Sequence, residues 1–380
     1  MFFELSEEQR VFLKRVREVY EREVTPLVEE HERNETFPGS LFRILGQERL
    51  LCLRCPKEYD GPGLNKVYES VSVEELNRIC AGIGSSIMVH GGLAVDPIHH
   101  FGSKEMKTRY LPPAVRGEKI GAFAVTEPNA GSDLSGIRTV AIKEGRGYRL
   151  SGSKTFITNG TICDFVTVAA YTDPTKKGTG ISLFVVERGD PGFSVTRKLR
   201  KLGNHSSETA ELAFQDSHVP KERMIGNEEG EGLEQLEETL KSARITYGAR
   251  STGIGQAAFD ATVSYVKEER GMGRSMRRSQ AVRFLLAEMA VSIDAMRTMA
   301  YRAAWLYDQG AASMKDASVV KLFCTESLQR IVQRAMALQK SWGLAVTNPV
   351  QRFLRDARLL KIPEGTSEIQ HLIIARELGI

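Results

Sequence analysis

The sequence lacks a cysteine framework. Its five cysteines are scattered along 380 residues, and an odd number cannot all pair within one chain. This pattern favours a reducing compartment, and we expect a cytoplasmic protein. Cys52 and Cys55 form a lone C-x-x-C pair, and we find no Asp, Glu or Cys ligand at useful spacing from His99 and His100. The sequence therefore predicts no metal site.

Long apolar runs and a strong charge of one sign are absent as well. No apolar segment approaches the roughly 18–20 residues of a membrane-spanning helix. The formal net charge of +4 is small for this length, so it does not indicate nucleic-acid binding. The opening segment, Met1 to Glu8, lacks the basic and apolar regions of a secretion signal, and none is expected.

The pattern of apolar and turn-forming residues changes twice along the sequence. The chain is also too long for one compact core. Residues 1–118 have apolar residues at helical spacing. Residues 119–226 contain short alternating apolar runs separated by Gly, Asp and Pro, which is typical of a β-sandwich or barrel. Residues 227–380 return to long helical patterns. We therefore predict three domains in the order α, β, α.

Local signals place some of the helices. Ser6 and Gln9 have the spacing of a capping box at a helix start. Residues 81–95 are small and apolar, which indicates a closely packed buried helix. A stripe of apolar side chains predicts a core-facing helix that ends near Gly310; it consists of Leu286, Met289, Ile293, Met296 and Ala300.

Three short motifs contain the candidate functional residues. They are Phe123 to Asp133 (FAVTEPNAGSD), Gly152 to Gly160 (GSKTFITNG) and Ile362 to Gln370 (IPEGTSEIQ). In the third motif, Glu364 follows an apolar segment and precedes a glycine that allows close approach of a ligand. A carboxylate short of water has a raised pKa and can act as a base toward a carbon acid. The alternative is that Glu364 only precedes a helix capped by Thr366 or Ser367.

In this order and spacing, the motifs resemble those of the acyl-CoA dehydrogenase family of flavoproteins, and the resemblance covers essentially the whole chain. It implies an α+β, three-domain fold: an N-terminal helical domain (1–118), a middle β-barrel or sandwich domain (119–226) and a C-terminal four-helix bundle (227–380). It also implies FAD as cofactor, an acyl-CoA as substrate and a trans-2-enoyl-CoA as product. Further implications are a homotetramer and an electron-transferring flavoprotein as electron acceptor.

The resemblance also assigns roles to single residues. Glu364 would take the α-proton while a hydride passes from the β-carbon to flavin N5. Ser132, Arg244 and Gly365 would contact the substrate. Some relatives carry the base one residue before the arginine that Arg244 resembles, but Ala243 cannot take a proton. Contacts to FAD are implied for Phe123, Val125, Thr126, Gly131, Ser132, Phe156, Thr158, Arg270, Gln280, Thr366 and Glu368.

Some of these assignments have a simpler alternative. The residues of the first two motifs could be plain strand packing with a Gly-Ser turn. Thr366 and Glu368 could only cap a helix.

The sequence departs from the family at positions that hold FAD from a neighbouring subunit. Glu269 occupies the place of an arginine, with Arg270 one residue later. Lys340-Ser341 replace a Gly-Gly pair, and we expect them not to reproduce its close backbone approach to a pyrophosphate. The arginines between 270 and 283 form either a solvated helix face or a replacement for the missing arginine.

These departures leave a second hypothesis, a weakly active or inactive partner subunit of a heteromer. Flavin monooxygenase or oxidase chemistry is a third. The retained Glu364 argues against the third hypothesis, because oxygen activation needs no base for an α-proton.

Overall fold

The computed structural model describes residues 4–268 and 275–380. Its first part is helical, and α1 begins with the predicted capping box. The Gln9 N–H donates to Ser6 Oγ at 3.2 Å, and the Ser6 N–H donates to Gln9 Oε1 at 2.9 Å. A π-helical turn, His90–Ala94, joins α5 to α6. The helices are α1 Glu7–Glu23, α2 Val28–Asn34, α3 Leu41–Gln47, α4 Lys66–Ile79, α5 Ala81–Val89, α6 Asp96–Phe101 and α7 Lys104–Val115.

The middle part of the chain forms one mixed sheet. Its strands follow the order β6-β7-β3-β2-β4-β5-β8, and β1 lies parallel to β4. Strand β4 is buried along its whole length: Phe165 and Ala169 face the N-terminal helices, while Val166 and Val168 face a second core. The strands are β1 Gly121–Ala124, β2 Val140–Glu144, β3 Gly147–Thr158, β4 Phe165–Tyr171, β5 Ile181–Glu187, β6 Phe193–Lys198, β7 Thr209–Pro220 and β8 Met224–Ile225.

A bulge in β3 redirects one aromatic side chain. The register between β3 and β7 shifts between Lys154 and Ile157. Within this bulge Phe156 has a φ of 59°, and 67% of the residue is exposed. Bulges turn a side chain away from the regular alternation of a strand. The ring of Phe156 is therefore presented outside the sheet's own core.

The C-terminal part is a helical bundle built on α8, which packs against α4, α10 and α11. Met289, Ile293, Met296 and Ala300 of the predicted stripe are buried, whereas Leu286 is partly buried. The predicted three-domain α+β fold is confirmed, while the exact domain boundaries stay predictions. The helices are α8 Gly232–Lys267, α9 Ser275–Arg278, α10 Gln280–Asp308, α11 Met314–Gly343, α12 Pro349–Leu360 and α13 Ser367–Glu377.

Helix α11 is interrupted at Lys340. This lysine has φ 52° and ψ −136°, a conformation that glycine adopts far more readily. Asn348 Nδ2 holds the interruption by donating to Gln339 Oε1 at 2.7 Å and to the Trp342 carbonyl at 3.2 Å. The expectation that Lys340 and Ser341 do not reproduce the close backbone approach of a Gly-Gly pair to a pyrophosphate stays a prediction, because a positive φ alone does not test it. Such strain costs about 1–3 kcal/mol and is typical of functional segments.

Within the two described ranges, no helix is long and apolar enough to cross a membrane.

Candidate functional site

A cavity of about 390 Å³ brings the three sequence motifs together. We call it the site cavity. It takes residues from the helices around α5, from the β-sheet and from the C-terminal bundle. Its lining consists of Ser85, Met88, Val89, Leu93, Phe123, Val125, Thr126, Gly131, Ser132, Leu134, Phe156, Ile157, Thr158, Leu240, Tyr247, Arg250, Leu359, Ile362, Pro363, Glu364, Gly365 and Thr366.

Glu364 lies in the loop between α12 and α13, and the backbone of this loop is strained. Glu364 has a φ of 56° and Gly365 has a φ of 94°. Thr366 then caps α13, because its side chain accepts the Ile369 N–H at 3.4 Å. Thr366 thus caps the helix, as one sequence interpretation predicted, and it also lines the site cavity, while its contact to FAD stays a prediction.

Side chains from three helices hold the carbonyl groups of this loop. Lys321 Nζ donates to the Gly365 carbonyl at 2.7 Å and to the Lys361 carbonyl at 3.0 Å. Arg244 Nε donates to the Glu364 carbonyl at 3.0 Å. Gln370 Nε2 donates to the carbonyls of Glu364 at 3.0 Å and of Gly365 at 2.8 Å. These bonds hold the main chain on both sides of the point where the Glu364 side chain begins.

The surroundings of Glu364 suit a base. Removal from water raises the pKa of its carboxyl group, while the nearby cations Lys321, Arg250 and Arg244 oppose that rise. Burial also lowers the pKa of Lys321 to about 8. A raised pKa brings the proton affinity of a carboxylate closer to that of an efficient general base at neutral pH.

Another wall of the site cavity is built on β1, the segment that follows it, and β3. Buried Lys154 ties β3 to the segment that follows β1, since its Nζ donates to the Val125 carbonyl at 3.0 Å and to Glu127 Oε1 at 2.8 Å. The backbone of β3 adds a second tie, because the Thr155 N–H donates to the Thr126 carbonyl at 2.9 Å. These links hold the first and second motifs at a fixed separation.

This wall fits a planar aromatic group with polar edges, as a flavin is. Phe156 presents a largely exposed ring on its bulge, and Phe123 lines the same cavity. A Cβ added to Gly131 would meet only Thr126 Cγ2, at 3.9 Å, so the backbone is open there. The hydroxyl groups of Thr126, Ser132 and Thr158 supply hydrogen-bonding partners. The residues present therefore fit FAD.

Some residues predicted from the sequence lie elsewhere. Arg244 does not line the site cavity, but its Nε donates to the Glu364 carbonyl from outside the cavity. Gln280, at the start of α10, and exposed Glu368, at the start of α13, do not line it either. Arg270 lies outside the described residues, as does Glu269.

Sequence reasoning missed Tyr247, Arg250 and Lys321. Tyr247 and Arg250 follow Arg244 at steps of three residues, so they share one face of α8. That spacing is the signal that could have found them. Lys321 gave no such signal, because its role depends on how α11 packs beside the loop that follows α12.

The prediction of no metal site overlooked one carboxylate. Ligand atoms of Asp96, His99 and His100 lie within 4.8 Å of one another. Asp96, however, already forms an ion pair with the Arg54 guanidinium. A second cation there would meet like charge, so we assign no metal to this group.

The fold and the site together define a flavin-dependent type of oxidoreductase. Comparison with family models agrees along the chain: residues 6–118 match the acyl-CoA dehydrogenase N-terminal domain, 122–217 the middle domain and 230–379 the C-terminal domain. The chain belongs to the acyl-CoA dehydrogenase family, whose members are FAD-dependent oxidoreductases.

Relatives resemble the chain over its full length. The short-chain specific acyl-CoA dehydrogenase of Clostridium acetobutylicum is 39% identical over 378 residues, which cover 100% of both chains. Butyryl-CoA dehydrogenase from Megasphaera elsdenii has a TM-score of 0.95 at 35% identity and covers 100% of both chains. A chain in a structure of the electron transferring flavoprotein of Acidaminococcus fermentans has a TM-score of 0.96 at 37% identity, covering 100% of this chain and 99% of that one.

Proposed function

We propose that this protein catalyses the α,β-dehydrogenation of a short acyl-CoA thioester, with Glu364 as the base. The observation that supports this proposal is that Glu364 lines the same cavity as Phe123, Thr126 and Phe156. This reaction needs a base on one side of the acyl group and an electron acceptor on the other. FAD bound against Phe123, Thr126 and Phe156 supplies the acceptor of the β-hydride.

The residues of the Glu364 loop perform the proton transfer. The carboxylate takes the proton from the α-carbon, and its raised pKa favours that step. Negative charge develops on the thioester oxygen at the same time, and the backbone N–H of Glu364 is the donor that we assign to it. Pro363 lacks an N–H of its own, but this leaves the N–H of Glu364 in place. Lys321 and Arg244 act by holding the loop.

The FAD contacts that the site cavity supports are those of Phe123, Val125, Thr126, Phe156 and Thr158. Gly131 and Ser132 line the same cavity, and we propose that Ser132 contacts the CoA part of the substrate as well as FAD. We keep Arg270, Gln280, Thr366 and Glu368 as proposed contacts to the distal part of FAD.

A short acyl group fits the shape of the cavity. Tyr247 and Arg250 are large side chains, and both lie in its wall beside Met88 and Leu93. They occupy volume that a long acyl chain would need. Relatives described as short-chain specific or as acting on butyryl-CoA support the same class.

We further propose a cytoplasmic homotetramer that passes electrons to an electron-transferring flavoprotein. The similar chain in the Acidaminococcus fermentans structure supports this acceptor.

The experiment is Glu364→Gln, with Glu377→Gln on α13 as the control. Loss of a general base lowers turnover by about 10²–10⁴-fold, while FAD content should stay unchanged because the fold is unaltered. Turnover is measured with butyryl-CoA and an artificial electron acceptor, together with anaerobic bleaching of the flavin. If Glu364→Gln keeps more than about a tenth of the activity, Glu364 is not the base.

A further inference from the structure

Arg250 is a buried cation in the wall of the site cavity. Its relative exposure is 1%, and it is the largest of the fully buried side chains. It projects from α8 toward α4 and α5, and its Cζ lies 4.8 Å from the centroid of the Tyr247 ring. Arg250 and Glu364 are the charged residues that line this cavity. The proton-transfer step described above makes no use of Arg250.

The hydrogen bonds of Arg250 within the described residues go to uncharged acceptors. Nε donates to Asn77 Oδ1 at 3.1 Å, and Nη2 donates to Ser85 Oγ and to the Ala81 carbonyl at 3.4 Å. The partner of Nη1 is the thioether sulfur of Met88 at 3.9 Å, which is a weak acceptor. Nη1 therefore has a weak acceptor, the Tyr247 side chain also interacts with the guanidinium, and both Met88 and Tyr247 line the site cavity.

A buried guanidinium without a carboxylate partner is costly. Glu364 is near enough to interact with Arg250, but it also interacts with Lys321 and Arg244. A purely aliphatic acyl group would place hydrocarbon against Arg250 and offer the guanidinium no further acceptor, so Glu364, shared with Lys321 and Arg244, would be its nearby anion. An anion on the acyl group would instead supply the missing acceptor, because guanidinium and carboxylate form charge-assisted, often bidentate hydrogen bonds.

We propose that the acyl group of the natural substrate ends in a carboxylate, and that Arg250 binds this carboxylate inside the site cavity. The substrate class is a short ω-carboxyacyl-CoA. This inference rests on the proposed dehydrogenase function and adds the identity of the acyl end. Arg250 is a specificity-determining residue, and Glu364 remains the base.

The first test needs no substitution. FAD-loaded wild-type protein is assayed with matched esters of equal chain length: succinyl- against butyryl-CoA, glutaryl- against pentanoyl-CoA, and adipyl- against hexanoyl-CoA. Loss of one partner of a buried charge pair costs at least about 30-fold, so the best carboxylated ester should exceed its uncharged counterpart by about that factor in kcat/KM. Preference for the uncharged ester in every pair would overturn the proposal.

The second test separates carboxylate binding from a purely structural tie between α8, α4 and α5. Arg250→Gln should lower kcat/KM for the best carboxylated ester by about 30-fold or more and change its uncharged counterpart far less. Arg250→Lys should give an intermediate kcat/KM for the carboxylated ester. Lysine keeps the positive charge but lacks the paired N–H donors of the guanidinium. Arg149→Gln, on the exposed side of β3, is the matched control.

Melting temperature and FAD content are recorded for every variant. A structural tie predicts equal losses for both esters of a pair, and that result rejects the assignment. If no ester of either kind bleaches the flavin of the wild-type protein, the dehydrogenase function itself fails and this inference fails with it. If only the uncharged esters bleach the flavin, the proposed carboxylate of the substrate is rejected, whereas the dehydrogenase function stands.

Discussion

Replacement of Gly365 by alanine tests whether the strained loop positions the base. Gly365 has a φ of 94°, and a Cβ added there would lie 2.7 Å from Gln370 Nε2 and 3.0 Å from Ile369 Cγ2. Gln370 Nε2 is the donor that holds the carbonyls of Glu364 and Gly365. The methyl group would therefore strain the backbone and also displace the amide that fixes the loop.

Both effects can be estimated. A left-handed backbone costs an alanine about 1–2 kcal/mol. Loss of two hydrogen bonds adds about 0.5–1.5 kcal/mol each, which gives about 2–5 kcal/mol in total. If the loop relieves this strain by moving, a displacement of about 1 Å at the base lowers the rate by about 10²-fold. We expect turnover to fall by about 10- to 100-fold and the melting temperature to fall as well.

The control is Gly310→Ala after α10. Gly310 has a φ of 66°, yet an added Cβ there would meet nothing within 4 Å. This variant should therefore lose stability through the backbone alone and keep its turnover. Both variants are compared by thermal denaturation and by steady-state turnover with the best acyl-CoA of the substrate panel. Equal turnover in the two variants would refute the idea that the Gln370 contact positions Glu364.

Three further predictions concern the charge and the wall of the site cavity. The rate should rise with pH through an apparent pKa above the usual value of about 4.3, because burial raises the pKa of Glu364. Lys321→Met should move that rising limb to still higher pH, since a cation that lowers the pKa of Glu364 is lost; an unmoved limb speaks against this coupling. Phe156→Ala should reduce the FAD retained after dialysis, whereas Ile142→Ala, at a residue exposed to a similar 65%, should not. Equal FAD retention in both variants would remove Phe156 from the flavin wall.

The sequence predicted what depends on local signals. The capping box of Ser6 and Gln9 is a contact within one helical turn, and it appears as predicted. The buried stripe from Met289 to Ala300 follows directly from helical periodicity. The motif containing Glu364 was recognised because its functional residues are consecutive in the chain, although their roles stay predictions.

What the sequence could not give depends on contacts between distant segments. The exposed ring of Phe156 results from a register shift against β7, which lies more than fifty residues away. The contacts of Arg250 depend on the packing of α5, which places Ser85 and Met88 beside it. Lys340 keeps a glycine-like conformation through Asn348, which no residue-by-residue substitution rule would anticipate.

Helix α8 carries two residues with different proposed roles at different points along its length. Arg244 holds the loop that carries Glu364. Arg250 lies six residues further on, a rise of about 9 Å at 1.5 Å per residue. Under the proposed function, this rise separates the residue that supports the base from the residue that binds the acyl end. Exchanges at positions 247 and 250 can alter which molecules this scaffold accepts while the Arg244 contact stays intact. Such an arrangement allows related enzymes to differ in the substrates that they accept while the catalytic step stays the same.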